Sequence, residues 1–262
     1  MRIGFYQFSP VFGDVEANRG KIAEVLKGAQ ADLLVLPELA TSGYLFTGRE
    51  EVEALAEPIP GPTTEFLQQI ARESGMHIVI GLPERSGDAL YNSAALVGPQ
   101  GVVAHYRKAH LFYEEKLYFQ PGDTDFPICK VRDAKVGLLI CYDHMFPEAA
   151  RTLALQGVQL IVHPSNLVMP GKGQFTSSVR ALENRVFWAL ANRWGTEERG
   201  DRRLQYTGES QIVAPDGSLL VEAPSEGDAL RIVEIDPSQA LDKHVTKLND
   251  LFEDRRPDLY EL

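Results

Sequence analysis

With 262 residues and 2 cysteines, the chain is long enough for one large domain with ample core and too poor in thiols for a disulfide framework. A formal net charge of -11, with no basic cluster carrying interleaved aromatics, argues against nucleic acid or an anionic membrane as partner. No apolar run is long enough to span a bilayer, and Met1-Arg2-Ile3-Gly4-Phe5-Tyr6 reads as a strand and not as a leader, so a reducing cytoplasm is expected.

Taken in order, Arg2 to Phe8 alternates as a strand does, and Ala17 to Ala29 places Ile22, Val25 and Leu26 at helical spacing. Leu33-Leu34-Val35-Leu36 is a buried strand ending in Pro37-Glu38, which completes a β-α-β unit. Thr63 to Glu73 reads as a helix with Phe66, Leu67 and Ile70 on one face. His77 to Leu82 and Tyr91 to Val97 read as strands, and Val102 to Tyr106 returns after the turn Pro99-Gln100-Gly101.

Val136 to Ile140 is a short apolar run that stops at Cys141, and Pro147 is suited to open the helix that follows. Leu160-Ile161-Val162 then ends in His163-Pro164-Ser165-Asn166, which echoes the first strand–helix–strand passage and fits two related halves. Gln174 to Asn192 has the longest helical pattern, with Val179, Leu182, Val186 and Ala189 as the expected buried stripe. Tyr206 to Ala214, the turn Pro215-Asp216-Gly217, Leu219 to Glu222 and Leu230 to Ile235 read as a β-meander. The tail, 249–262, is charged but carries Leu251, Phe252, Leu259 and Tyr260, a composition that docks on its own body or on a neighbouring subunit. The whole is a layered α/β architecture, read as a single domain over 1–262.

Three reactive side chains follow strand-like runs: Glu38, Lys108 and Cys141. A thiol at the C-terminal end of a buried strand, just ahead of a helix, stands where open α/β folds place their chemistry. The attacking species is the thiolate, so such a cysteine needs a base; a carboxylate can take its proton and later activate water. An ammonium and a backbone N–H after the nucleophile can hold the oxyanion of a tetrahedral intermediate.

Plainer readings stand beside these. A buried cysteine serves most often as a small apolar residue, Glu38 could cap a turn, and Lys108 could be a solvated charge. Cys129 has no surrounding pattern of this kind and reads as inert. His110, His144 and His163 read as structural groups, since no His-x-x-x-His or Cys-x-x-Cys spacing supports a metal. Gly137 opens no phosphate loop, because no glycine-rich pattern follows it.

Leu36-Pro37-Glu38-Leu39, Tyr106-Arg107-Lys108-Ala109-His110-Leu111 and Ile140-Cys141-Tyr142-Asp143-His144-Met145-Phe146-Pro147-Glu148 resemble, in order, the three signature segments of the nitrilase superfamily of carbon–nitrogen hydrolases. Arg180-Ala181-Leu182-Glu183-Asn184 and Asp254-Arg255-Arg256-Pro257 also resemble family patterns. The resemblance implies a four-layer αββα sandwich, with Cys141 as nucleophile, Glu38 as general base and Lys108 as oxyanion stabiliser. It implies a fourth residue shortly after the lysine, for which Glu115 is chosen over Glu114, although Glu114-Glu115-Lys116 also fits a solvated charge run.

By the same resemblance Tyr44, Phe46, Tyr142 and Asn166, with Pro164 and Ser165, line the substrate pocket. No cofactor or metal is implied, the substrate is a small amide-type molecule, and the protein is expected as a homodimer or higher homo-oligomer. Cys141-Tyr142-Asp143 fits the amidase and carbamoylase side better than nitrile hydrolysis. The expected reaction is hydrolysis of a small amide through a thioester. N-carbamoyl amine hydrolysis, nitrile hydrolysis and a non-catalytic binding protein of the same fold stay open as alternatives.

Overall fold

The computed structural model describes residues 1–260. The first half runs β1 (Arg2–Gln7), α1 (Val15–Leu26), β2 (Leu33–Val35), α2 (Arg49–Leu55), α3 (Pro62–Ser74), β3 (His77–Ser86), β4 (Ala89–Gly98) and β5 (Gly101–Arg107). After the one-turn helix α4 (Glu115–Tyr118) come β6 (Ile128–Val131), β7 (Ala134–Leu138), a 3-10 turn over Cys141–Met145, and α5 (Pro147–Leu155). The chain continues through β8 (Leu160–Pro164), α6 (Lys172–Asn184), β9 (Phe187–Ala191), and the strands β10 (Trp194–Arg199) and β11 (Arg202–Thr207). It closes with β12 (Gln211–Val213), β13 (Leu219–Glu222) and β14 (Ala229–Glu234), followed by short turns and a small hairpin.

Two six-stranded sheets form, in the orders β14-β1-β2-β3-β4-β5 and β13-β12-β9-β8-β7-β6. Each has a parallel centre, β1-β2-β3 in one and β7-β8-β9 in the other, flanked by antiparallel strands. The echo between the two halves of the sequence is therefore an echo of topology. Parallel centres are buried on both faces, which is why their strands are continuously apolar.

The faces alternate as pleating requires. Leu33 and Val35 of β2 meet Val136, Leu138, Leu160 and Val162 of the opposite sheet in one continuous core. Leu34 and Leu36 turn the other way, onto Ile22 and Leu26 of α1 and Leu67 and Ile70 of α3. Outside the second sheet, α5 buries Ala149, Ala150, Leu153 and Ala154. Gly137 lets α5 come that close, since a Cβ there would stand 2.9 Å from the Leu153 methyls. The result is a four-layer helix–sheet–sheet–helix sandwich.

Local signals explain the helix ends. The Asp14 carboxylate caps α1 by accepting from the Ala17 N–H at 3.0 Å. Proline opens α3 and α5, and Gly75 ends α3 at φ +72°.

Two expectations are corrected. The helix expected over Gln174 to Asn192 ends at Asn184: Arg185 turns left-handed at φ +49°, and Phe187–Ala191 is β9, a central strand. Val186 to Ala191 is apolar at every position, so helical spacing could be read into it, whereas it is buried on both sides of a sheet. Leu182, assigned to the buried stripe, is 48 % exposed, and α6 buries Ser177, Arg180, Ala181 and Asn184 instead. The expected meander from Tyr206 onward is likewise divided. Gly208, at φ +63°, breaks the run, β11 pairs only with β10, β12 and β13 join the second sheet, and β14 crosses to the first.

In the tail Phe252 packs under Arg151 and Lys243, with cation-to-ring distances of 5.1 Å and 4.8 Å. Leu259 and Tyr260 are exposed, while Glu261 and Leu262 lie outside the described residues.

Candidate active site

The strand-end residues converge. Glu38 follows β2, Lys108 follows β5 and Cys141 follows β7, and all three side chains are buried. The Lys108 ammonium donates to Glu38 Oε1 at 2.7 Å and to Glu115 Oε1 at 2.8 Å. Glu115 also accepts from the Tyr44 hydroxyl at 2.6 Å and from the Phe112 N–H at 3.1 Å. Its neighbour Glu114 points away and pairs with Arg202 at 3.3 Å. Adjacent residues on a helical turn diverge by about 100°, so only one of the two can face Lys108.

Burial disfavours the Lys108 charge, but Glu115 and Glu38 together outweigh it and hold the ammonium above the ordinary lysine range. For Glu115 burial wins over the neighbouring ammonium and pushes the carboxyl up. Burial, with Glu38 beside it, drives the Cys141 thiol well above its ordinary range, opposed by Lys108 and by the Asn166 backbone N–H. Burial thus favours the thiol, so attack requires a base to take its proton.

Cys141 begins the 3-10 turn in the left-handed region, at φ +41°. Such a conformation costs a non-glycine residue about 1–3 kcal/mol and survives only where the surroundings impose it. Two buried groups do so. Trp188 Nε1–H donates to His163 Nδ1 at 3.2 Å, which leaves the proton on Nε2, and Nε2–H donates to the Cys141 carbonyl at 2.8 Å. Burial lowers the His163 pKa to about 3, so the ring is neutral. The Asp143 carboxylate, with no exposed surface, accepts from the Ile140 N–H at 2.9 Å, the Tyr106 hydroxyl at 2.9 Å and His110 Nδ1 at 2.7 Å. The early N–H groups of the turn, Tyr142 among them, have no partner within the turn itself.

Asn92 and Asn166 flank Glu38. The Asn92 amide donates to Glu38 Oε1 at 2.6 Å, and the Asn166 amide donates to the Glu38 carbonyl at 2.9 Å. Glu38 Oε2 is buried and has no hydrogen-bond partner among the described residues, which leaves it as the oxygen of Glu38 open to take a proton.

Cys141, Tyr142, His144 and Asn166 line a chamber of about 20 Å³, little more than one water needs. A larger cavity of about 290 Å³ lies against Glu115 and Tyr44, with Phe46 in its wall. The residues expected to line one pocket are thus divided between two spaces, with Phe112 in the wall of both. Ser165 is buried behind the chamber, beside His163.

Sequence reasoning did not single out Asn92, Asp143, Trp188 or Phe112. Asn92, a polar residue in the middle of an apolar strand, and Asp143, two residues beyond Cys141, were the visible signals. Glu197 was missed without one. It reaches from β10 to accept the Tyr44 and Leu45 N–H groups at 3.1 Å and 2.8 Å, and so fixes the loop that carries Tyr44. Among the described residues no group of His, Cys, Asp and Glu is arranged to hold a metal.

The sequence model of carbon-nitrogen hydrolases matches residues 2–242. The chain belongs to the carbon–nitrogen hydrolase family. It is 44 % identical over 264 residues to a nitrilase of Pyrococcus abyssi, with 99 % of each chain covered. It is 34 % identical over 260 residues to an (R)-stereoselective amidase of a Pseudomonas species, covering 98 % of this chain and 92 % of that one. An amidase from Nesterenkonia sp. AN1 was solved with the acetamide moiety of fluoroacetamide added covalently at its active-site cysteine. That structure superposes with a TM-score of 0.81 at 30 % identity, covering 99 % of this chain and 95 % of that chain. The protein is therefore an enzyme of carbon–nitrogen bond hydrolysis in the nitrilase superfamily, with the four-layer architecture of its amidases.

Proposed function

We propose that this carbon–nitrogen hydrolase opens a small amide through a Cys141 thioester, with Glu38 as general base, Lys108 as oxyanion stabiliser and Glu115 as the group that holds Lys108. The observation that carries the reading is the buried Lys108 ammonium shared between two carboxylates beside a buried thiol.

As Cys141 Sγ bonds to the carbonyl carbon, its proton passes to Glu38. The carbonyl oxygen becomes an oxyanion held by the Lys108 ammonium and the Tyr142 N–H. Glu38 then gives the proton to the departing nitrogen, the C–N bond breaks and ammonia leaves. Water loses a proton to Glu38 and attacks the thioester carbon; collapse of this second intermediate expels the sulfur, which recovers the proton, and releases the acid. Glu115 keeps Lys108 charged and in place throughout, and Tyr44 in turn orients Glu115.

The test is ammonia release from a panel of amides, N-carbamoyl amines and nitriles, with Cys141→Ala as the blank. Abolished release in the variant supports the thioester route; activity that survives the substitution defeats it. Nitrile hydrolysis is the second reading, favoured by the 44 % identical relative described as a nitrilase. A nitrile attacked by Cys141 gives a thioimidate, and the same panel separates the two.

The single-domain organisation over 1–262, a cytoplasmic location and a homodimer belong to the same proposal. The exposed Leu259 and Tyr260 support a tail that docks on a second copy. An unchanged oligomer after deletion of 249–262 would remove that role.

A further inference from the structure

We infer that the 290 Å³ cavity beside Glu115 receives an uncharged, apolar part of the substrate, and that Phe112 decides which groups reach Cys141 through it. The inference rests on Cys141 and its partners being the reacting centre, and deepens that reading by naming a substrate class.

Size comes first. The chamber at Cys141, about 20 Å³, is too small for the body of any larger substrate, which must lie elsewhere. Continuity points to where. The wall of the large cavity includes Glu115 and Tyr44, the pair bonded to each other at 2.6 Å and through Glu115 to Lys108. Phe112 lines both spaces, its ring centroid 5.2 Å from that of Tyr142 in the small one. It is the partition between them.

The lining gives the chemistry. Phe46, Tyr113, Tyr118, Phe119 and Leu204 supply apolar surface, with Leu204 coming from β11. The two carboxylates that reach the cavity, Glu114 and Glu115, are already paired, and its two arginines are each held through one nitrogen. Arg202 pairs with Glu114 at 3.3 Å and donates to the Phe46 carbonyl and the Tyr118 hydroxyl at 3.0 Å and 3.2 Å. Arg203 pairs with Glu198 at 3.4 Å, and Glu115 holds Lys108. An ammonium on the substrate would have to break one of these pairs or enter unpaired, and a carboxylate would find only the water-exposed guanidinium groups of Arg202 and Arg203, where an ion pair gains little, whereas an aryl or alkyl group loses only its water. A cavity of about 150 Å³ accommodates benzene, so about 290 Å³ takes a phenyl ring on a short linker.

The experiment has two arms. Binding is measured by calorimetry on Cys141→Ala protein, with 4-phenylbutanamide, the anionic succinamate and the cationic 4-aminobutanamide. The neutral phenyl amide should bind at least about 10-fold more tightly than either charged one. In the second arm Phe112→Trp narrows the partition, and its backbone bond to Glu115 does not depend on the side chain. The ratio of kcat/KM for 4-phenylbutanamide to that for acetamide should fall at least about 10-fold, and Phe112→Ala should raise the same ratio for a naphthyl analogue. Tighter binding of a charged amide, or ratios unmoved by both substitutions, overturns the inference. Binding to a protein without the thiol needs no turnover, so failure of the thioester reading would appear separately, as ammonia released by Cys141→Ala.

Discussion

The Tyr106 hydroxyl donates to the Asp143 carboxylate at 2.9 Å, a bond that helps tie the segment carrying Lys108 to the turn carrying Cys141. Tyr106 and His110 stand two residues to either side of Lys108, Asp143 stands two residues beyond Cys141, and His110 Nδ1 bonds the same carboxylate at 2.7 Å. The separation of ammonium and sulfur is set by a group that touches neither. Asp143→Ala strands several buried donors, each costing about 1–3 kcal/mol. We expect a fall of at least about 3 kcal/mol in urea unfolding. In Asp143→Asn, which keeps the shape, kcat should fall at least about 10-fold with KM moving less. A KM effect alone would count against a positioning role.

Lys108 lies between two buried carboxylates, so removing its charge does two kinds of damage. Lys108→Met should lower kcat/KM by about 100- to 1,000-fold, the usual effect of losing an oxyanion partner. It should also lower stability, because Glu38 and Glu115 are then buried together without a counter-charge. Circular dichroism at the assay temperature separates the two effects: the catalytic loss should persist in protein that is still folded.

The two thiols should react differently with an amide-bearing alkylating agent. Burial raises the Cys129 pKa to about 12, and the Cys129 thiol donates to the Val136 carbonyl at 3.6 Å. Cys141 is also pushed up, but it has Glu38 to take its proton during attack. Iodoacetamide at pH 7 should modify Cys141 faster than Cys129, and Glu38→Gln should slow Cys141 alone. Equal slow labelling of both, followed by peptide mass spectrometry, would remove the case for an activated thiol.

Acid should destabilise the fold through two buried imidazoles. Burial holds His163 at about 3 and His144 at about 4 in the folded chain, against 6.5 for an ordinary histidine. Below pH 6.5 the unfolded chain binds protons that the folded chain refuses. Stability is therefore fully present above pH 6.5 and falls as pH drops toward 4, by up to about 1.4 kcal/mol per pH unit for each ring. Urea midpoints between pH 7 and pH 5 should show this slope, and His163→Gln should make it shallower. A slope unchanged by that substitution would mean that His163 takes its proton within the folded state.

Much of the site was legible before any fold was known. Glu38 and Cys141 sit at the ends of apolar runs, and the end of a buried strand is a local feature that one segment displays by itself; Lys108 follows the half-exposed edge strand β5 and was marked by the family resemblance of its segment. The alternation of strands and helices indicated a layered α/β architecture, and the four layers were implied by the family resemblance. Where the reading went astray, at Val186 to Ala191, the residues are apolar at every position, and helix and strand then look alike until a sheet claims one of them.

The sequence by itself determined which chemistry was possible: a thiol, a carboxylate and an ammonium in three segments of one family. Only the tertiary structure decided how they are held. Glu115 faces Lys108 while Glu114 faces Arg202, because a single helical turn cannot aim neighbours in one direction. Asn92 comes to Glu38 from β4, His163 supports Cys141 from β8, and Phe112 stands between two cavities. These relations join residues far apart in the chain through sheet pairing and close packing, and neither is written in any one segment.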